Sequence, residues 1–146
     1  MRFLTEVIHM QWVVDRLDEG NRLLQALLSS PKLAFDDSLR ERLPEQHGIY
    51  AIYDAGVAPN EILWVGRTEK SRRGLRRRIC EDHLAGNASS DLPVVLVRSG
   101  VCSDPKKAKS WIRGRCVVQF VVVDSPELCK WSEHFVLGIL RPKYNR

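Results

Sequence analysis

The chain has no Cys-x-x-C pair: its four cysteines, Cys80, Cys102, Cys116 and Cys129, stand far apart. Structural zinc sites draw on closely spaced ligand pairs, so a zinc-built fold is not expected. No apolar run approaches the ~18 residues that a membrane-crossing helix needs. The opening Met1-Arg-Phe-Leu-Thr-Glu sets a glutamate where a secretory leader would carry its apolar core. Internal repeats and low-complexity segments are missing as well. These absences point to a cytoplasmic protein with reduced thiols and no membrane contact. With 146 residues the simplest organisation is one domain with an N-terminal addition, long enough to bury a real core.

What is present is basic charge, unevenly spread. Residues 1–60 hold 6 Lys/Arg against 9 Asp/Glu, whereas residues 61–146 hold 17 against 9. An excess of one sign confined to one part of a chain suggests an acidic partner, nucleic acid first among the candidates.

Taken in order, residues 5–28 read as an amphipathic helix. Leu4, Val7, Ile8, Val14, Leu17, Leu24, Leu27 and Leu28 recur at three- and four-residue steps, and Pro31 stops the helix. Gly20 leaves open a division into two shorter helices. Such a helix either packs on the domain itself or serves as an arm that pairs two copies or touches DNA. Residues 36–43 suggest a short helix before Pro44. Gly48–Tyr53 and Ile62–Val65 are rich in β-branched and aromatic residues and flank a turn-forming loop, which reads as a hairpin. Arg72-Arg-Gly-Leu-Arg-Arg-Arg-Ile fits the first turns of a basic helix. Val94–Val97 is a strand or a buried loop. Asp104 and Pro105 begin a further helix, as cap and first residue, whose Lys106, Lys107 and Lys109 form a second basic cluster around Trp111. Cys116–Val123 is the clearest strand, nearly continuous in apolar residues and so expected at the centre of the sheet. Glu127–Leu140 reads as the last helix. The order suits an α+β fold with a small antiparallel sheet flanked by helices, although residues 61–124 alone also allow a parallel βαβ unit.

Several of these residues fall into one pattern. Gly48-Ile49-Tyr50, then Trp64-Val65-Gly66 followed by Arg67-Thr68, then Leu75, Arg78 and His83, and finally Glu133 and Asn145 follow one another along residues 47–146. The pattern resembles the GIY-YIG nuclease domain of homing endonucleases, restriction enzymes and DNA-repair incision subunits. The resemblance implies residues 46–146 as a nuclease-like domain behind a helical extension of residues 1–45. It also implies a three-stranded antiparallel sheet with Ile49–Tyr53 beside Leu63–Arg67. By the same resemblance the chain is a metal-dependent endonuclease that hydrolyses DNA, branched or damaged DNA among its candidate substrates, or a degenerate relative that binds without cutting.

The chemistry matches the residue types. Phosphodiester hydrolysis needs an oriented water, a base and charge stabilisation at the phosphoryl oxygens, part of which a divalent metal supplies. Magnesium takes few protein carboxylates and keeps several waters, so one glutamate is enough. The resemblance makes Glu133 the ligand of one Mg2+ or Mn2+, Tyr50 the group that positions or deprotonates the water, and Asn145 a clamp on the local backbone. Arg67 and Arg78 supply positive charge, Arg78 as a bidentate clamp on the scissile phosphate. The family commonly has four residues from arginine to histidine, whereas Arg78 to His83 is five. Either the helix is irregular there or the match is off by one residue; Arg76 and Arg77 compete with Arg78 for the clamping role. Trp64 stands where the second motif has tyrosine, and an indole offers only an N–H donor. Tyr53 is expected to share a face with neither Tyr50 nor Arg67. Trp64, Arg72, Arg73, Arg76, Arg77, Lys106, Lys107 and Lys109 complete the expected nucleic-acid surface.

Overall fold

A computed structural model describes residues 2–57, 61–69, 74–83 and 91–145. Seven-residue runs of β-branched and aromatic residues make its three long strands, β2 (Gly48–Asp54), β3 (Glu61–Arg67) and β4 (Cys116–Val122). They join a two-residue strand, β1 (Leu33–Ala34), in one antiparallel sheet of order β1-β4-β2-β3. The sheet therefore has four strands rather than three. With Pro31 before it and Asp36-Asp37 after it, β1 is too short to show an alternating pattern. All pairings are antiparallel, which excludes the βαβ alternative. Every residue of β2 is buried, whereas β4 is only partly buried and ends exposed at Val122, so the best-covered strand is β2 and not the one with the longest apolar run.

Helices cover both faces. On one lie α1 (Arg2–Ser29) and α6 (Pro126–Leu140), which close over Ile49, Ala51, Tyr53 and Val65 with Leu27, Cys129 and Val136. On the other lie α2 (Leu39–Arg42), α3 (Gly74–Arg77), α4 (Leu92–Arg98) and α5 (Pro105–Arg115). These pack Leu39, Leu75, Leu96 and Ile112 against Tyr50, Ile52 and Trp64. Leu27, Leu33, Phe35, Leu39 and Leu43 are all buried, so the segment before β2 is built into the same core. The first part of α1 is less covered, with Met10, Trp12, Val13, Val14 and Leu17 exposed, and Trp12, Val13 and Leu17 line a groove with Leu128, Trp131 and Phe135 of α6. Leu4, Val7 and Ile8 have side chains outside those described.

Two regions depart from the sequence expectation. Val94–Val97 belongs to α4, not to a strand or loop; its start carries Asp91 at the cap and Pro93 in the first turn, helix signals that outweigh the β preference of three valines. After α3 the helix changes pitch, and Arg78–His83 forms a π-helical turn. Gly74, at φ 55°, makes the entry to α3 possible: a side chain there would collide with the Glu45 carbonyl, and L-residues avoid that backbone region. The amides of Leu75 and Arg76 donate to the carbonyls of Gln46 and Pro44 (2.9 and 3.0 Å), tying this helix to the chain that enters β2.

Candidate active site

The site begins at the end of the hairpin where β2 opens and β3 closes. In the β2–β3 register Tyr50 faces Gly66 and Ile52 faces Trp64. Opposed residues of an antiparallel pair share a face, so Tyr50 and Trp64 point together toward the α3–α5 side. Gly66 leaves room for the Tyr50 ring, since a Cβ there would collide with the phenol hydroxyl. That hydroxyl is hydrogen-bonded to His83 Nε2. His83 also sits edge-on to the rings of Tyr50 and Trp64, at centroid distances of 5.2 and 5.7 Å.

The π-helical turn makes this possible. Its i→i+5 spacing sets the fifth residue where an α-helix sets the fourth, so His83 comes over Arg78 despite the longer interval. The irregular-helix alternative is the one observed. On the far side of the ring the Leu92 N–H donates to Nδ1 (3.5 Å). With Nδ1 accepting, the imidazole proton is assigned to Nε2 and points at the tyrosine oxygen. Both groups are fully buried. Burial pushes the Tyr50 phenol well above its usual range, with Arg78 pulling the other way. Burial, and after it the charge of Arg78, hold the His83 imidazole well below its usual range, so the ring is neutral at neutral pH.

Two ion pairs flank this neutral pair. Arg78 Nη1 donates to Asp91 Oδ1 at 2.9 Å, and Asp91 is completely buried. Arg67 Nη1 donates to Glu133 Oε1 at 2.7 Å, with 25% and 14% of the two side chains exposed. Arg67 is opposite Ile49 and so belongs to the α6 face. Tyr53 shares that face with it, contrary to expectation, but at the other end of β2. Burial raises the Glu133 carboxyl, while Arg67 and more weakly Arg78 lower it. Both carboxylates act electrostatically on Tyr50. Tyr50 and His83 thus meet on one face, where Asp91, which pattern reading missed, holds Arg78, while Arg67 and Glu133 pair on the other and reach Tyr50 only through the charge of Glu133. The sequence signal for Asp91 was a cap residue before Leu-Pro, which speaks of a helix start and not of a site.

Asn145 lies apart from this group. Its Oδ1 accepts from the Val65 N–H (2.6 Å) and its Nδ2 donates to the Val65 carbonyl (2.9 Å). With the amides of Lys143 and Tyr144 donating to Ile62 and Leu63, it lays the C-terminal segment along the outer edge of β3. Thr68 is a second brace: its Oγ1 lies 2.9 Å from His47 Nδ1 and accepts from the Gly48 N–H (3.1 Å), and its own N–H donates to the Gly48 carbonyl.

The expected nucleic-acid surface is divided. Trp64 is only 7% exposed and is a core residue, not a surface contact. Its buried indole N–H makes no hydrogen bond of good geometry among the described residues, but it lies near enough to the Tyr50 phenol to offset slightly the rise in pKa that burial causes there. Arg76 is committed to the Leu43 carbonyl and Glu45, so it braces the loop before β2. Arg77 pairs with Glu81 along the helix. Lys106 and Lys107 are exposed on α5 and Lys109 is half-buried, on the same side of the sheet as Tyr50. Arg72 and Arg73 lie outside the described residues.

Among the described residues no three His, Cys, Asp or Glu groups cluster to hold a metal, and no helix is long and apolar enough to cross a membrane. A magnesium-like ion fits a leaner donor set, since one carboxylate and several waters suffice. Glu133, rigid on α6 and partly open to solvent, offers that carboxylate. Comparison with protein-family models, with curated proteins and with solved structures gives no match.

Proposed function

We propose that this chain is a GIY-YIG-type endonuclease that hydrolyses phosphodiester bonds in DNA with one bound Mg2+ or Mn2+, acting in the cytoplasm. One observation carries the reading: His83, from 33 residues farther along the chain, meets the Tyr50 hydroxyl, with the charges of Arg78 and Glu133 acting on the phenol and Arg67 paired to Glu133. In this reading Glu133 holds the metal, which when bound supplies Lewis acidity to the phosphoryl group. Arg78 and Arg67 present guanidinium donors to phosphate oxygens. Tyr50 would orient the attacking water through its hydroxyl, and the His83 Nε2–H would stabilise negative charge that develops on the phenol. That hydroxyl is buried against His83 in the free chain and so must be uncovered when DNA binds. Lys106, Lys107 and Lys109 contact the DNA backbone without reading sequence. The reading extends to recognition of DNA structure or backbone rather than of a long sequence.

Cleavage of supercoiled plasmid and branched oligonucleotides, with and without Mg2+ or Mn2+, tests the proposal. Metal-dependent cutting that disappears in Glu133→Ala is the expected result. Absence of cutting on every substrate would reject it.

Trp64 favours a second reading, that of a domain that binds DNA without cutting. The buried indole brings no hydroxyl to the place where the family pattern has a tyrosine. Binding that weakens with salt and ignores chelator, without cleavage, would select this reading. The less covered first part of α1 is the surface through which two copies would pair.

A further inference from the structure

We propose that Asp91 is the positioning residue of the same site, aiming the Arg78 guanidinium while the start of α4 fixes the His83 ring. The inference rests on the nuclease reading for its catalytic consequence, though not for its structural one.

Three observations carry it. Asp91 occupies the cap position of α4, where an aspartate ordinarily accepts a bond from the helix's first amides. Here it makes no capping bond; its Oδ1 takes the Arg78 Nη1–H instead, across 13 residues of chain. Asp91 is also completely buried, and a buried ion pair is poorly justified by stability alone, because desolvation offsets most of the attraction. Finally, the residue after it, Leu92, sends its backbone N–H to His83 Nδ1. One short stretch thus touches both members of the π-helical turn that face the tyrosine, Arg78 at its start and His83 at its end. The carboxylate acts on Tyr50 only at a distance, raising the phenol's pKa against the pull of Arg78. Asp91 would therefore set where the guanidinium points without meeting the substrate, as the outer partners of metal ligands do.

The test uses the full chain with Asp91→Asn, which removes the charge and keeps the shape, and Asp91→Glu, which keeps the charge. Two readouts are taken: the 15N-detected side-chain resonances of Arg78, and kcat and KM separately on a cleavable DNA. In the native protein and in Asp91→Glu the guanidinium should give resolved, slowly rotating NH2 signals. In Asp91→Asn these should coalesce, and kcat should fall by about 10–100-fold, the usual loss on removing an outer partner, with KM nearly unchanged. Asp91→Glu should recover most of that kcat. Unchanged Arg78 signals in folded Asp91→Asn, or native kcat with altered signals, would overturn the inference. Should Asp91→Asn not fold, Asp91→Glu decides: mobile Arg78 signals there would also overturn it. Should the native protein cut no DNA, the nuclease reading falls and the guanidinium spectra alone decide the role of Asp91.

Discussion

The two faces of the sheet treat their charged pairs differently. On the α3–α5 side, Arg78 and Asp91 meet beside the neutral Tyr50–His83 pair, and three of these four residues are completely buried. On the α6 side, Arg67 and Glu133 form an equally short bond but keep contact with water. The lesson lies in what happens when a partner is lost. Where water cannot enter, the remaining charge or donor has nowhere to turn. Where it can, solvent takes over much of the missing interaction. The sealed face is thus suited to fixing geometry, and the open face to exchanging partners, as the proposed exchange of an arginine for a metal requires.

Removing one arginine from each face gives the sharpest contrast. Arg78→Gln strands the buried Asp91 and should cost about 3–5 kcal/mol in urea denaturation. Arg67→Gln leaves Glu133 within reach of water and should cost about 1 kcal/mol. Equal losses would erase the distinction between the faces.

A smaller effect follows from the neutral histidine. The folded His83 titrates below its unfolded value of about 6.5, so between those two values the unfolded chain binds a proton that the folded chain does not. Stability from this group is fully present above pH ~6.5 and declines as pH falls through that window, with a slope of at most about 1.4 kcal/mol per pH unit. Thermal melts from pH 7.5 to pH 5 should show the slope in the native protein and a flatter curve in His83→Gln. An identical slope in both would mean that the ring is not held neutral.

The smallest change concerns neither face but the sheet edge. Asn145→Ala removes two bonds to Val65 and should cost about 1 kcal/mol, seen most directly as faster amide exchange at Val65. Unaltered exchange there would show that Lys143 and Tyr144 hold the segment alone.

How much of this could be read from the chain follows from where the signals are local. The hairpin and β4 announce themselves through runs such as Ile49-Tyr-Ala-Ile-Tyr53 and Val117–Val123, whose residues favour a pleated, half-buried surface. α5 carries its cap, Asp104, in plain view, whereas the cap of α6, Ser125, passed as part of the turn after β4. β1 could not be seen, because two residues carry no period and the strand exists only through its pairing with β4. Trp64 was legible as a motif position but not as a buried one, since its burial depends on helices that arrive later in the chain. Asp91 was hidden for a related reason: its partner is Arg78, and nothing in the residues between them signals the contact.

The π-helical turn between Arg78 and His83 has a wider consequence. A spacing rule written in residues counts positions along the chain, whereas a site responds only to positions in space. By widening a single turn, the helix absorbs one additional residue and still delivers the imidazole to the tyrosine. Deleting any one residue from 79 to 82 shortens the interval to four and should restore an ordinary helical pitch. A count of residues along the chain and a position in space can thus differ by one without the imidazole losing the tyrosine.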